Sequence, residues 1–428
     1  MASILKQVFS NRNVVAISST NMLYSVFNGL WNLWWTLYLV EVLNTPIMIV
    51  GLLATIQNTS RILFQLPGGI IADRIGRKKV IVFGTSLRVI APIFLFTARS
   101  WQWVIPGIVL NAVASFYTPA FNAIIAESLP KERRGTAFGA YRMMTSIPQI
   151  FMPVVSGYYL EIMGIAKGVR VGLMMFTGAA AIAVIVRWIF LTETLNVKED
   201  VAQNDGGTGK NEDKGVLAAF KRQPRTIYAM LVASIIGGFA TRMTWSFLTI
   251  YAHNVVGLTT TQYGMLQSIA TGLSVPLYLI SGMIADRFGR VPCILLARGL
   301  GPFDSLSLLM FKDFNQLIGA YGIIGIAGGL GGGRIRGGGF MGGPAWQALI
   351  ADLVPSRDRG KVMGLMGTIN GIFGIPASAI GGYLYEENPN FLLALGAGLE
   401  ALAIPIILFF IKEPKRTVVA EPKGQPTR

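Results

Sequence analysis

The chain divides into twelve predominantly apolar stretches, each close to the 20 or so residues a helix needs to cross a hydrocarbon layer about 30 Å thick. They fall near residues 14 to 40, 47 to 71, 80 to 98, 102 to 128, 136 to 160, 170 to 191, 226 to 252, 261 to 285, 292 to 311, 315 to 351, 361 to 385 and 390 to 411. Soluble domains carry about 25% charged residues. Here 14% are charged and 52% apolar, too few charges for a water-facing surface of this size. The expected fold is therefore an all-α integral membrane protein with twelve transmembrane helices. Nothing before residue 14 has the pattern of a cleavable signal.

One cysteine, Cys293, excludes a disulfide framework, and one histidine, His253, excludes a histidine-ligated metal centre. With no nucleotide loop and no nucleophile beside a histidine, no enzyme activity, metal or cofactor is expected.

Between the sixth and seventh stretches, residues 196 to 215 are dominated by Gly, Asn, Asp and Lys. Such a segment buries too little apolar surface to order itself. The chain is thus read as a six-helix bundle over 1–195, a linker over 196–224, a second six-helix bundle over 225–412 and a tail over 413–428. The halves repeat. Gly69, Ala72, Asp73, Arg74, Gly76 and Arg77 recur as Gly282, Ala285, Asp286, Arg287, Gly289 and Arg290, at an offset of 213. Pro119, Pro130, Arg134, Gly157, Tyr158 and Glu161 recur as Pro344, Pro355, Arg359, Gly382, Tyr383 and Glu386, at an offset of 225. The extra dozen residues point to the Gly-rich run 328 to 343. Internal repeats of this kind are the mark of a transporter built from two related bundles.

Two six-helix repeats, each with Asp-Arg-x-Gly-Arg between its second and third helix, resemble the major facilitator superfamily over nearly the whole chain. The full motif stands at Gly69, Asp73, Arg74, Gly76, Arg77, Lys78 and Lys79, and the second copy departs at Val291 and Pro292. The resemblance implies two bundles that rock about a midplane site, a cavity lined chiefly by helices one, four, seven and ten, and a latch at the motif loops. In that latch Asp73 would sit near Gly360 at the start of the eleventh helix, Arg77 would pair with Glu127, and Asp286, Arg290 and Asp352 would form the matching set. The resemblance to drug/proton antiporters is incomplete. The arginine often found in the fourth helix of such exporters has no counterpart, and the Gly-Pro pattern of the fifth is only partly echoed by Pro148, Pro153 and Gly157.

The net charge of +16 raises the question of a nucleic-acid partner, which charge placement answers. Lys and Arg concentrate in the termini, the linker and the loops after even-numbered helices. Opposite loops carry only Arg99, Lys167, Arg170 and Lys312. By the positive-inside bias both termini are cytoplasmic in a plasma membrane, and no nucleic-acid partner is implied. Eight arginines lie within or beside the apolar stretches: Arg61, Arg88, Arg142, Arg187, Arg242, Arg298, Arg334 and Arg336. Only Asp304 and Glu400 share that zone.

Charges at membrane depth are costly and mark function by default. Arg61, near the midplane on a face with Asn58 and Gln65, is the best candidate for an anionic group or a coupling proton. Arg142, with Thr145 and Gln149, is read as a gate. Arg187 is read as snorkelling to a surface, and Arg88 and Arg298 as structurally paired. Asp304 and Glu400 are coupling candidates by chemistry, although in this family their helices flank the cavity, which favours structural pairing. A stripe of Asn21, Tyr24, Asn28, Trp31, Trp35 and Tyr38 keeps helical spacing in the first helix. Asn28 and Trp31 are read as facing the cavity, Trp35 and Tyr38 equally as belt residues. Asn111 with Ser115, Thr118 and Asn122, and Arg242 with Trp245, Thr249 and His253, form weaker stripes. These stripes lie where the resemblance places a substrate, so Asn111, Arg242 and Trp245 join Asn28, Trp31 and Arg61 as candidate substrate contacts, with interhelical hydrogen bonding as the alternative. His253 falls at a helix end, where exposure is expected.

The function that follows is secondary transport of a small organic solute by alternating access, as a monomer in the bilayer. Proton-coupled export of amphipathic compounds leads, from the complete loop motif and the aromatic first helix. Uptake or exchange of an organic anion, from the excess of buried arginine, is the alternative, and a non-transporting receptor or scaffold on the same fold is the competing class.

Overall fold

A helix hydrogen-bonds its own backbone, so it can lie in hydrocarbon without exposing unpaired peptide groups. The computed structural model describes residues 11–128, 134–194, 216–331 and 343–413, and every regular element in them is helical. The linker run 196 to 215, Arg334, Arg336 and the tail beyond Glu413 fall outside the described residues, as do the side chains of Asp73, Arg142 and Asp286.

Helices pack against one another within each half. The third span, Arg77–Thr97, packs on the sixth, Ile165–Phe190. The seventh, beginning with Arg225–Trp245, packs on the twelfth, Pro389–Phe410. Between halves, the second span, Ile47–Ile75, lies against Ala377–Glu387 of the eleventh, and the fifth, Arg134–Met163, against the eighth, Thr260–Phe288. The result is an all-α membrane fold of twelve spans in two pseudo-symmetric six-helix bundles. Eight of the described helices are long and apolar enough to cross a membrane by length and composition alone. The first, fifth, eighth and tenth are not among them, and three of these turn polar residues inward.

Several spans are broken where the sequence suggested continuity. The first runs Arg12–Gly29, passes through a 3-10 turn at Asn32–Trp34 and resumes as Trp35–Glu41. The tenth is Phe314–Gly331 and Pro344–Leu353, with part of the Gly-rich run, 332 to 342, outside the described residues. At the motif loops Gly76 and Gly289 take φ of +100° and +101°, backbone that favours glycine. Each glycine sits beside an unanticipated carboxylate: Glu193 accepts from the Lys78 N–H at 2.9 Å, and Glu413 from the Arg290 N–H. Both stand at the N-terminus of a helix, where an anion is favoured.

Buried apolar side chains show how the bundles meet. Away from the motif loops one cluster draws on both bundles, joining Leu37, Leu160 and Leu173 to Phe247, Leu266 and Leu393. Toward the motif loops there are two separate clusters, one within each bundle: Val14, Ile81 and Ile124 in the first, Met230, Leu349 and Ile407 in the second. The face opposite the motif loops is closed, and the bundles part on the motif face. Gly360, Gly364 and Gly367, along the motif-side half of the eleventh span, face open space.

The closure is itself repeated. Gly157 and Gly264 let the fifth and eighth spans touch backbone to backbone: a Cβ on Gly157 would lie 3.0 Å from Thr261 Cα, and one on Gly264 3.1 Å from Val154 Cα. Gly382 and Gly51 do the same for the eleventh and second, each Cβ falling 3.1 Å from a backbone Cα, that of Met48 or Gly382. The offsets of 225 and 213 map Gly157 onto Gly382 and Gly51 onto Gly264. The same offsets relate two carboxylate contacts between bundles: Glu161 accepts from the Thr261 N–H at 3.3 Å, and Glu386 from the Met48 N–H at 3.3 Å. A Gly157→Val, Gly264→Val double variant should hold this face apart. In a Cys293→Ser background with Asn28→Cys, an impermeant maleimide should then label from the opposite face and lose access from the motif face.

Candidate functional site

Between the bundles, below the shared core, lies a cavity of about 580 Å³, within the size range of small-molecule sites. Its walls come mainly from the first bundle: Asn21, Tyr24, Ser25, Asn28 and Trp31 of the first span, Gln57, Asn58 and Arg61 of the second, Arg88 of the third, Asn111 and Ser115 of the fourth, and Thr145 and Gln149 of the fifth. The second bundle adds Trp245, Gln267 and Thr271. None of the described lining residues is a carboxylate.

The lining contains five of the six residues singled out for substrate contact: Asn28, Trp31, Arg61, Asn111 and Trp245. Arg242 is engaged elsewhere. Its Nη1 donates to Asn370 Oδ1 at 3.0 Å, and Asn370 in turn donates to the Ser234 carbonyl at 2.6 Å, which ties the seventh span to the eleventh. The first-span stripe also divides. The 3-10 turn resets the helical phase after Trp31, so Tyr38 is fully buried and accepts from Arg170 Nε at 3.0 Å rather than lying in an interfacial belt.

Arg187 does not snorkel. It is fully buried behind the cavity, donating to Thr20 Oγ1 at 3.1 Å, Thr85 Oγ1 at 2.8 Å and Asn21 Oδ1 at 3.1 Å. Its guanidinium also lies 5.2 Å from the Tyr24 ring centroid, 5.8 Å from Tyr117 and 5.3 Å from Phe121. Three aligned donors and three ring faces hold the cation in place of a carboxylate. Arg88 lies 5.8 Å from Tyr24 and 5.3 Å from Tyr117, on the cavity wall, with no ion pair among the described residues. Sequence reasoning passed over both because Arg88 was read as structurally paired and Arg187 as snorkelling to a surface; their shared aromatic neighbours emerge only in three dimensions.

The remaining candidates lie away from the cavity. Arg77 pairs with Glu127, and Arg290 with Asp352, each within its own bundle on the motif face. Asp304 and Glu400 are buried between the ninth and twelfth spans, Glu400 accepting from Thr241 Oγ1 at 2.9 Å. His253 is two-thirds buried on the closed face, its Nδ1 2.9 Å from the Leu258 carbonyl and its Nε2 3.7 Å from Glu41 of the other bundle.

A sequence profile described as the Major Facilitator Superfamily matches residues 17–337 and 332–427. The chain belongs to the major facilitator superfamily. Among relatives, a probable galactarate/D-glucarate transporter of Bacillus subtilis is 24% identical over 200 residues, 44% of this chain and 42% of the relative. A multi-drug resistance efflux pump of Streptococcus pneumoniae is 30% identical over 115 residues, 27% of this chain and 29% of the pump. These alignments span less than half of either relative. Among solved structures, a nucleoside transporter superposes with a TM-score of 0.73 at 14% identity, over 93% of this chain and all of that one, a likeness of fold. As a major facilitator the protein is a secondary membrane transporter.

Arg187→Lys keeps the charge but cannot reproduce three directed donors. Leaving one or more of Thr20, Thr85 and Asn21 without its partner should cost about 1–3 kcal/mol, measured as a lower thermal midpoint of the purified protein in detergent.

Proposed function

We propose that this transporter carries a small organic anion by alternating access between the two faces. The observation that carries the reading is the charge of the cavity: Arg61 and Arg88 both reach its wall, and no described lining residue supplies a carboxylate. Neither arginine has an ion-pair partner among the described residues. Two cations in a pocket of low dielectric repel one another, and an anion between them relieves the repulsion while satisfying their donors. The polar remainder of the wall, with Asn28, Gln57, Asn58, Asn111, Gln149 and Gln267, offers donors and acceptors for hydroxyl groups on such a solute. Galactarate and D-glucarate, the compounds named for one relative, are dicarboxylates of this type.

In this reading Asn28, Trp31, Arg61, Asn111 and Trp245 contact substrate, while Arg242 sets the spacing of the seventh and eleventh spans. The motif face is cytoplasmic, both termini lie on that side of the plasma membrane, and the structure corresponds to the inward-facing state. Arg77 with Glu127, and Arg290 with Asp352, hold the motif loops so that Asp73 meets the start of the eleventh helix near Gly360, with Asp286 in the matching place, when the cytoplasmic side closes, and Arg142 gates from the fifth helix. Exchange of one anion for another suits a wall without a carboxylate better than proton coupling through Asp304 or Glu400, which lie outside it. Export of amphipathic compounds remains the second reading, favoured by the aromatic part of the wall at Tyr24, Trp31, Phe176 and Trp245 and by the similarity to the efflux pump.

Reconstituted liposomes separate the two. Anion exchange predicts uptake that needs a trans anion and ignores an imposed pH gradient. Uptake of an amphipathic cation driven by that gradient would instead establish the second reading. Arg61→Ala should lower anion exchange at least tenfold, and full activity in that variant would remove Arg61 as a ligand.

A further inference from the structure

Three hydrogen-bond donors beside the cavity are buried and lack any partner among the described residues: Tyr24 Oη, Trp31 Nε1 and Arg88 Nε. Tyr24 and Trp31 are 7% and 5% exposed. Buried donors without acceptors are rare and cost about 1–3 kcal/mol each. Here all three belong to residues of one wall. They form a continuous strip: Arg88 Cζ is 5.8 Å from the Tyr24 ring, Tyr24 is 5.5 Å from Phe176 between centroids, and Phe176 is 5.8 Å from Trp31. A polar group placed on this strip would lie beside a buried donor at either end and an aromatic face between.

We propose that the Arg88–Tyr24–Phe176–Trp31 strip is the substrate's docking site, a subsite of the first bundle that takes a carboxylate or phosphate at Arg88 and Tyr24 and a second acceptor group at Trp31. The proposal rests on the anion-transport reading and adds to it the point of attachment and a length requirement. The Tyr24 and Trp31 rings flank Phe176, with centroids 5.5 Å and 5.8 Å from it, which separates the two donor-bearing rings by at most about 11 Å. The solute therefore presents an anionic end and, some distance away, a hydroxyl, carbonyl or second carboxylate. Arg61, on the neighbouring second span, contacts whatever part of the solute faces the second bundle. Attachment to one bundle leaves the other free to move past the bound solute, and small turns of Tyr24, Trp31 and Arg88 as the cavity contracts would bring the three donors onto it. Behind the strip, Arg187 anchors Asn21 and the Tyr24 ring, so the strip is supported by groups that are already satisfied.

The test is a thermal-shift and binding titration on the full-length protein in nanodiscs of phosphatidylcholine alone, so that no anionic lipid occupies the strip. Acetate, benzoate, D-glucarate and inorganic phosphate are the probes, each against wild type, Tyr24→Phe, Trp31→Phe and Arg88→Gln. Tyr24→Phe and Trp31→Phe keep the rings and remove only the donors, which guards against misfolding. The expected result is that D-glucarate stabilises wild type most, that Arg88→Gln weakens binding of every anion at least tenfold, and that Trp31→Phe weakens D-glucarate severalfold while leaving acetate unchanged. If wild type binds an anion and all three variants bind it equally, the strip is not the docking site and the anion reading stands. If no probe shifts wild type, both fall. If anionic lipid added to the nanodiscs competes with D-glucarate in wild type but not in Arg88→Gln, lipid headgroups and solute share the site; if lipid alone binds, solute docking on the strip is overturned.

Discussion

Contact between the two bundles at one face governs the rest of this structure. On the face away from the motif loops, glycines at 51, 157, 264 and 382 remove the side chains that would otherwise keep the helices apart, and a single apolar core forms across the interface. On the motif face each bundle buries its own core and the interface is open. The cavity exists because the first arrangement gives way to the second partway through the membrane. Since lipid tails are as apolar as leucine, helices gain little by hiding apolar surface from them, and close packing of small residues is the more effective source of interhelical attraction. Placing those residues at repeat-related positions lets the fifth–eighth and second–eleventh contacts form or release together, as a rocking motion requires.

Electrostatics set the character of what the fold encloses. Arg187 is neutralised by no described carboxylate, yet it is held by three hydroxyl or amide oxygens and surrounded by aromatic rings. Arg61 and Arg88 reach the cavity and have no ion-pair partner among the described residues, although Arg88 lies over the Tyr24 and Tyr117 rings. The distinction separates a cation held within the first bundle from two on the cavity wall, although all three are arginines in apolar helices and look equivalent as letters. The acids of the membrane zone were drawn to the ninth and twelfth spans, where Glu400 lies against the seventh through Thr241. Among the described residues, no carboxylate on the cavity wall opposes its positive charge.

Much of this was legible in the sequence. Twelve apolar runs and an internal repeat at two offsets determine an all-helical membrane protein of two related bundles, because hydrocarbon admits no other open-chain backbone and a duplicated Asp-Arg-x-Gly-Arg loop marks equivalent places in each half. The repeat even carried Gly157 and Glu161 onto Gly382 and Glu386 before their shared task was visible. Periodicity located Asn28, Trp31, Asn111 and Trp245 on the inner wall. It failed at Tyr38 because spacing predicts a common face only while the helix is unbroken, and a 3-10 turn intervenes. What the tertiary structure alone decided is which face is closed and which arginines are satisfied. Both depend on partners far away in the chain, such as Thr85 for Arg187 and Thr260 for Gly157, and no local pattern encodes a distance between helices.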